Sequence, residues 1–258
     1  MIPHNEISAL FYDFLNDIGR QGDIGYTDFK QAYETLMPVQ KQKLITLCGD
    51  NFSDYLNKGS IICILITYFE DEINTINQYH SDGTPNKELW TIYANAYKTL
   101  NRLLNNIAQR IAVKCNGISI PATIEGIVDS IDHVSEYYFQ TVSHRQIAEY
   151  AGLGWRGKNG LLIHPTYSCA FRLASIITPS TYLFAQKLSL SCGECKACLD
   201  QCGILQKKEK LDHYQEACRK FLIKINIPYE VCGKCIYACY NHSIYKNQFN
   251  LPKSKLKY

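Results

Sequence analysis

Eight of the twelve cysteines in this 258-residue chain fall between Cys192 and Cys239, and that crowding limits what the last third of the chain can be. Residues 1–15 carry Glu6 and Asp13 and lack the basic-then-apolar order of a secretory signal. The longest apolar run, residues 61–69, is about half of what a spanning helix needs. These features predict a cytoplasmic protein with no membrane segment. Thiols stay reduced in that compartment and disulfides are rare there, so eight crowded cysteines need another chemical reason. The other four, Cys48, Cys63, Cys115 and Cys169, are scattered among apolar neighbours and read as packing residues, since free cysteine is among the most buried residue types.

Cys192, Cys195, Cys198 and Cys202 run as C-x2-C-x2-C-x3-C, the spacing of bacterial ferredoxins. Three thiolates at three-residue steps wrap a compact loop around three corners of a [4Fe-4S] cubane. The fourth lies too far along to close the same cubane and typically ligates its neighbour. Zinc sites usually present cysteines as separated pairs and do not need a third at the next step. A second motif holds Cys232, Cys235 and Cys239, with Ala238 where a middle cysteine would stand, and Cys218 supplies the eighth thiol. The crossing-over logic assigns Cys192, Cys195, Cys198 and Cys239 to one cluster and Cys202, Cys218, Cys232 and Cys235 to the other. Gly203 and Tyr240 stand where ferredoxin runs commonly carry proline; proline supplies no ligand, so the ligand count is unaffected.

Ahead of the cysteines the chain alternates helical and strand patterns. Residues 6–18 and 27–47 read as helices, and 60–69 as a buried strand. Over residues 86–113, Leu89, Ile92, Ala96, Leu100, Leu103, Ile107 and Ile111 recur at three and four residues, the stripe of one long helix, with Thr84 and Pro85 as its cap and first turn. Residues 118–124 and 171–178 have the β-branched content of strands. The fold class is therefore α+β: an α/β-type domain over residues 1–185, then a ferredoxin-like two-cluster domain over 186–258 in which metal contacts replace a conventional core.

Between the two lies a glycine-rich stretch. Ser143 and Gln146 have capping-box spacing, and Gly152 can close the short helix in the left-handed conformation. Gly154, Gly157 and Gly160 then permit close backbone approach before a strand at 161–163. One reading is a loop that lets a large cofactor or an anion lie against main-chain amides, with Arg156 and Lys158 at hand; the other is an ordinary glycine-rich helix-to-strand turn. His133, His144, His164, His213 and His242 have no metal-pair spacing and read as surface or satisfied polar residues. Trp155 either flanks a cofactor or is a buried aromatic beside a turn. A net charge of +3, with no basic stripe, argues against a nucleic-acid partner, and the tail at 253–257 reads as a solvated terminus.

The stretch from Ala151 to Asn159, the Cys192–Cys195–Cys198 run and the isolated Cys218, sixteen residues after Cys202, together resemble the epoxyqueuosine reductase family over residues 143–239. The resemblance implies two [4Fe-4S] clusters, a cobalamin as a further candidate cofactor, and an N-terminal part like the family's cobalamin-binding domain. On it, Gly152, Gly154, Trp155, Gly157, Lys158 and Asn159 are the candidate cofactor residues. It also implies an electron donor such as a ferredoxin or flavodoxin and a small-molecule substrate. The family's catalytic aspartate is not matched. Counting back from Ala151 puts Tyr138 at that position, Thr141 at a proline and His144 at a glutamate, and Arg145 alone agrees; Asp132 and Glu136 are near but not aligned. A tyrosine, with an ordinary pKa near 10, is a different acid. Two readings follow: a reductase of unknown substrate, or an electron-transfer protein that keeps the clusters without the catalytic site.

Overall fold

The computed structural model describes residues 3–81, 84–122, 131–211 and 213–254. Helix α1 (His4–Ile18) ends at Gly19, whose φ of 64° is the left-handed conformation that closes helices. Strand β1 (Gly22–Asp28) follows, then α2 (Phe29–Thr35), α3 (Pro38–Cys48) and α4 (Phe52–Lys58). Strand β2 (Ser60–Thr67) is buried along its whole length. After α5 (Glu70–Asn74), the long α6 (Lys87–Lys114) leads to β3 (Ile118–Ile120). The helices α7 (Val134–Gln140) and α8 (His144–Tyr150), the hairpin β4 (Trp155–Arg156) and β5 (Leu162–Ile163), and β6 (Phe171–Thr178) complete the first two thirds. The described residues of the last third add the α-helices α9 (Ala197–Gln201), α10 (Gly203–Gln206), α11 (Tyr214–Ile225) and α12 (Lys234–His242).

The main sheet has the order β1-β2-β6-β3, and each neighbouring pair is antiparallel. The layer is thus α+β, and the α/β-type label for the first domain is corrected by the strand directions. Side chains alternate across a strand. On β2, Ile62, Ile64 and Ile66 join the core on the α1 and α6 side, while Ile61, Cys63 and Leu65 join a second core under α2, α3 and α8. Burial on both faces is why β2 reads as an unbroken apolar run and not as an alternating one.

Several expectations shift. Residues 27–47 form two helices, not one: Leu36 and Met37 are extended, and Pro38 starts α3. Strand β1 ahead of them was not anticipated. The cap of α6 is Asn86, whose side chain accepts from the Leu89 N–H at 3.2 Å, in place of Thr84 and Pro85. Leu100, Ile107 and Ile111 of the expected stripe are fully buried, but so are Trp90 and Leu104, so the buried face is wider than the stripe. Of the strand expected over 118–124, residues 118–120 form β3, Pro121 and Ala122 lie beyond it, and residues 123 and 124 lie outside the described residues, as do 255–257 of the tail. The C-terminal third has conventional core residues, where metal contacts were expected to replace them. Ile225, Ile227, Val231, Ile236, Tyr237, Tyr240, Phe249 and Leu251 join the same core as α1 and α6. Among the described residues no helix is long and apolar enough to cross a membrane.

Candidate functional site

The folded chain brings the eight crowded cysteines together in two sets of four. Cys192, Cys195, Cys198 and Cys239 line one small cavity. Burial pushes the Cys198 thiol up to about 11, and the other three thiols of the set add to the shift. Cys195 Sγ donates to Ser243 Oγ at 3.5 Å. In the second set Cys202 and Cys235 are hydrogen-bonded through their thiols, and Cys218 and Cys232 lie within electrostatic reach. The hydrogen bond from Cys235 draws Cys202 down to about 5, and the Leu205 and Ile204 N–H groups of α10 contribute. Local structure explains the grouping. Cys198 enters α9, Cys202 sits between α9 and α10, and α12, packed on α9, carries Cys235 on its first turn and Cys239 one turn later. Among the described residues no three His, Cys, Asp or Glu side chains close on a single point as they would around one ion; the first set is instead spread around a cavity.

Cys48, Cys63, Cys115 and Cys169 are all buried, as their apolar neighbours predict. Cys169 is more than packing. Its thiol hydrogen-bonds with that of Cys239, receives the Asn159 side-chain N–H at 3.6 Å and lies 4.0 Å from the Cys235 carbonyl oxygen. It is therefore the one scattered cysteine that touches the crowded ones. No spacing rule could have singled it out, since it stands alone in sequence.

The glycine-rich stretch serves the chain's own packing. Gly152 has φ 75° at the end of α8, as its position after the helix suggests. A Cβ on Gly154 would lie 2.2 Å from the Ile163 carbonyl oxygen, and one on Gly157 would lie 2.7 Å from Asn159 Oδ1. The space the glycines leave open is thus filled by the β4–β5 hairpin. Trp155, Lys158 and Asn159 line the first thiol cavity, and Lys158 Nζ donates to the Gly193 carbonyl at 2.6 Å. The donor set and this bedding suit an iron–sulfur cubane, and the close approaches at Gly154 and Gly157 are made by the chain itself.

On the other side of Cys169 lies a cleft of about 560 Å³. It forms because β3 stops at Ile120, opposite Ser175, so that residues 171–174 of β6 have no strand partner on that side among the described residues. Tyr138, Thr141, His144 and Arg145, the four positions aligned with the family's catalytic segment, all line it. Asp132 and Glu136 do not. The Glu136 carboxylate caps its own helix, accepting from the His133 N–H at 2.9 Å, and the Asp132 carbonyl accepts from Arg219 at 2.9 Å. His144 is a satisfied core residue between Ser175 Oγ and the Pro121 carbonyl, and His164 pairs with Asp23 at 3.1 Å. Arg172, which the sequence reading passed over, also lines the cleft.

No family model matches the chain. In sequence it is 41% identical over 73 residues to the epoxyqueuosine reductase of Synechocystis sp., covering 28% of this chain and 25% of that protein. It is 33% identical over 105 residues to the epoxyqueuosine reductase of Bacillus anthracis, covering 38% and 27%, and 31% identical over 124 residues to that of Pseudomonas aeruginosa, covering 46% and 31%. The matches thus span about a quarter to a third of these relatives. In structure it is similar to epoxyqueuosine reductase from Streptococcus thermophilus, with a TM-score of 0.51 at 18% identity, over 97% of this chain and 69% of that one. At that identity the likeness speaks for the fold.

Proposed function

We propose, from the chain's standing as a partial relative of the epoxyqueuosine reductases, that it is an iron–sulfur oxidoreductase with two [4Fe-4S] clusters beside a reductive cleft. The observation that carries the reading is the grouping of eight thiols into two sets of four, with Cys169, which touches Cys239, also lining the cleft. Cys192, Cys195, Cys198 and Cys239 would hold one cluster, and Cys202, Cys218, Cys232 and Cys235 the other. When bound, such clusters supply single electrons. The chain's own residues would bed them: Lys158 sets a positive charge beside the first, and Trp155 and Asn159 shield it. A donor such as a ferredoxin or flavodoxin would feed them, and a small-molecule substrate would occupy the cleft. A corrinoid would have room in the cleft of about 560 Å³.

The test is metal content after purification without oxygen. The protein should hold about eight iron and eight acid-labile sulfide; two zinc ions with no sulfide would overturn the reading. Added cob(II)alamin should show a changed axial environment in its spectrum if the cleft takes a corrinoid. Tyr138 favours a second reading, a cluster protein that passes electrons without a reaction of its own. Epoxyqueuosine reduction should be absent or slower by roughly 10²–10⁴-fold, since a mismatched acid stands at the donor position, and brisk turnover would refute the role given to Tyr138. Full clusters with no corrinoid binding and no reductase activity would favour the electron-transfer reading.

A further inference from the structure

The cleft over the β6 edge carries three arginines, Arg145, Arg156 and Arg172, and no Asp or Glu among its described lining residues. Among the described residues none of the three is in an ion pair. Arg156 is exposed. Arg145 is held by a hydrogen bond to the Gly160 carbonyl. Glu149 lies in the adjoining depression, but Lys187 engages it at 2.7 Å.

Arg172 is the informative one. It sits near the start of β6, and its guanidinium lies 4.3 Å from the centre of the Tyr97 ring on α6. Nε donates to Asn101 Oδ1 at 3.1 Å, and among the described residues the Arg172 side chain makes no other hydrogen bond. The titratable groups within its electrostatic reach include tyrosine hydroxyls, those of Tyr68, Tyr93, Tyr97 and Tyr137. A cation–π contact and one amide oxygen offset only part of the cost of a sheltered guanidinium. Its two terminal nitrogens form a planar fork suited to a carboxylate or phosphate.

A second, independent observation points the same way. Gln40 on α3 lines the same cleft, is 3% exposed, and its Oε1 is buried without a hydrogen-bond partner. A buried acceptor left unmatched is costly, and a ligand hydroxyl or amide N–H would satisfy it. The remaining lining is largely apolar and aromatic, including Tyr138, Leu161, Phe171 and Tyr214, and the volume suits a small organic molecule.

We infer that the cleft binds a small organic oxyanion, a carboxylate or phosphate that also carries a hydrogen-bond donor, with Arg172 as the inner charge partner, Arg156 at the exposed rim and Gln40 accepting from the donor. The inference rests on reading the cleft as the substrate side of the proposed reductase, and it does not depend on the clusters.

The test uses the full chain purified without oxygen, with iron assayed on the same sample. The probes are 4-hydroxybenzoate, phenyl phosphate and the neutral 4-hydroxybenzamide, read by melting temperature and calorimetry. At least one anion should bind saturably, and the amide should not. Arg172→Met should weaken anion binding roughly 10- to 100-fold, the usual weight of a hydrogen bond to a charged group. Without ligand it should melt no lower than the parent, whereas an arginine with a merely structural role would leave it less stable. Arg172→Lys should fall between the two, and Arg156→Gln, a surface change, should weaken binding by a smaller factor if Arg172→Met fails to fold. Absence of binding by either anion, or equal binding by the parent and the Arg172 and Arg156 variants, would overturn the inference. Tighter, Arg172-dependent binding of a 12-residue oligouridylate would overturn it in favour of nucleic acid. An iron-free preparation that still binds the anion would sink the cluster reading and leave this one standing.

Discussion

His144 is buried at the wall of the cleft, with its ring nitrogens engaged by Ser175 Oγ at 2.9 Å and the Pro121 carbonyl at 2.7 Å. Burial brings its pKa down to about 4, with the Arg172 charge adding to the fall. In the unfolded chain the same group titrates near 6.5. Between those values the unfolded state takes up a proton that the folded state refuses, so stability falls as the pH drops from 6.5 towards 4. The loss reaches at most about 3 kcal/mol. His144→Gln should flatten the decline of melting temperature over that window, and an unchanged slope would place its origin elsewhere. Cys218 sets a second test. It stands alone in sequence, yet lies with Cys202, Cys232 and Cys235. Cys218→Ala should cost up to half of about eight irons, or leave a three-iron centre, while the other cluster persists. Unchanged iron and unchanged paramagnetic resonance would return it to the ordinary thiols. Counting thiols suffices to find Cys218. Cys169 and Arg172 could not be found that way, because what marks them is contact across the fold: with Cys239 in one case, and with Tyr97 and Asn101 in the other.

The β4–β5 hairpin is the element whose role its local sequence specifies least. Gly152, Gly154, Gly157 and Gly160 are conspicuous, but their spacing alone does not say whether the open side faces a ligand or the protein. The structure puts the Ile163 carbonyl 2.2 Å from any Cβ at position 154, and that is backbone which cannot step aside cheaply. Gly154→Val should therefore destabilise the fold by roughly 1–3 kcal/mol or more and lower the iron content, since Trp155, Lys158 and Asn159 would lose their place against the first thiol set. Gly203→Ala is the matched control, because a Cβ there meets nothing within 4 Å. A Gly154→Val protein with parental melting temperature and full iron would show that the hairpin bends freely. Strand β1 escaped notice for a related reason. Gly22 and Gly25 make the segment look like a loop, yet both are there because the chain passes close by, at the Leu65 and Ala151 carbonyl oxygens. By contrast β2, β6 and α6 are legible, because long apolar runs and a helical stripe depend little on what packs against them.

At the scale of the molecule, the division between the helix-and-sheet part and the cysteine-rich part is uneven. Helix α12 sends Ile236, Tyr237 and Tyr240 into the core shared with α1 and α6, whereas α9 and α10 bury Cys198 and Leu205 and little else. On the proposed two-cluster reading the two parts should respond differently when the clusters are removed, since ligand binding is folding energy for segments without a core of their own. After anaerobic chelation, amide exchange should accelerate first and most over residues 192–211. It should rise less in α12 and stay slow in β2 and over residues 175–177 of β6, where the backbone is paired on both sides. Restoring iron and sulfide should bring the protection back in the reverse order. Exchange that rises evenly across the sheet and the cysteine segments would mean one cooperative unit held by the clusters. Exchange that does not change at all would mean that the thiols carry nothing the fold needs. The graded response is expected because the apolar anchors follow the same order: most in the sheet, fewer on α12, fewest on α9 and α10.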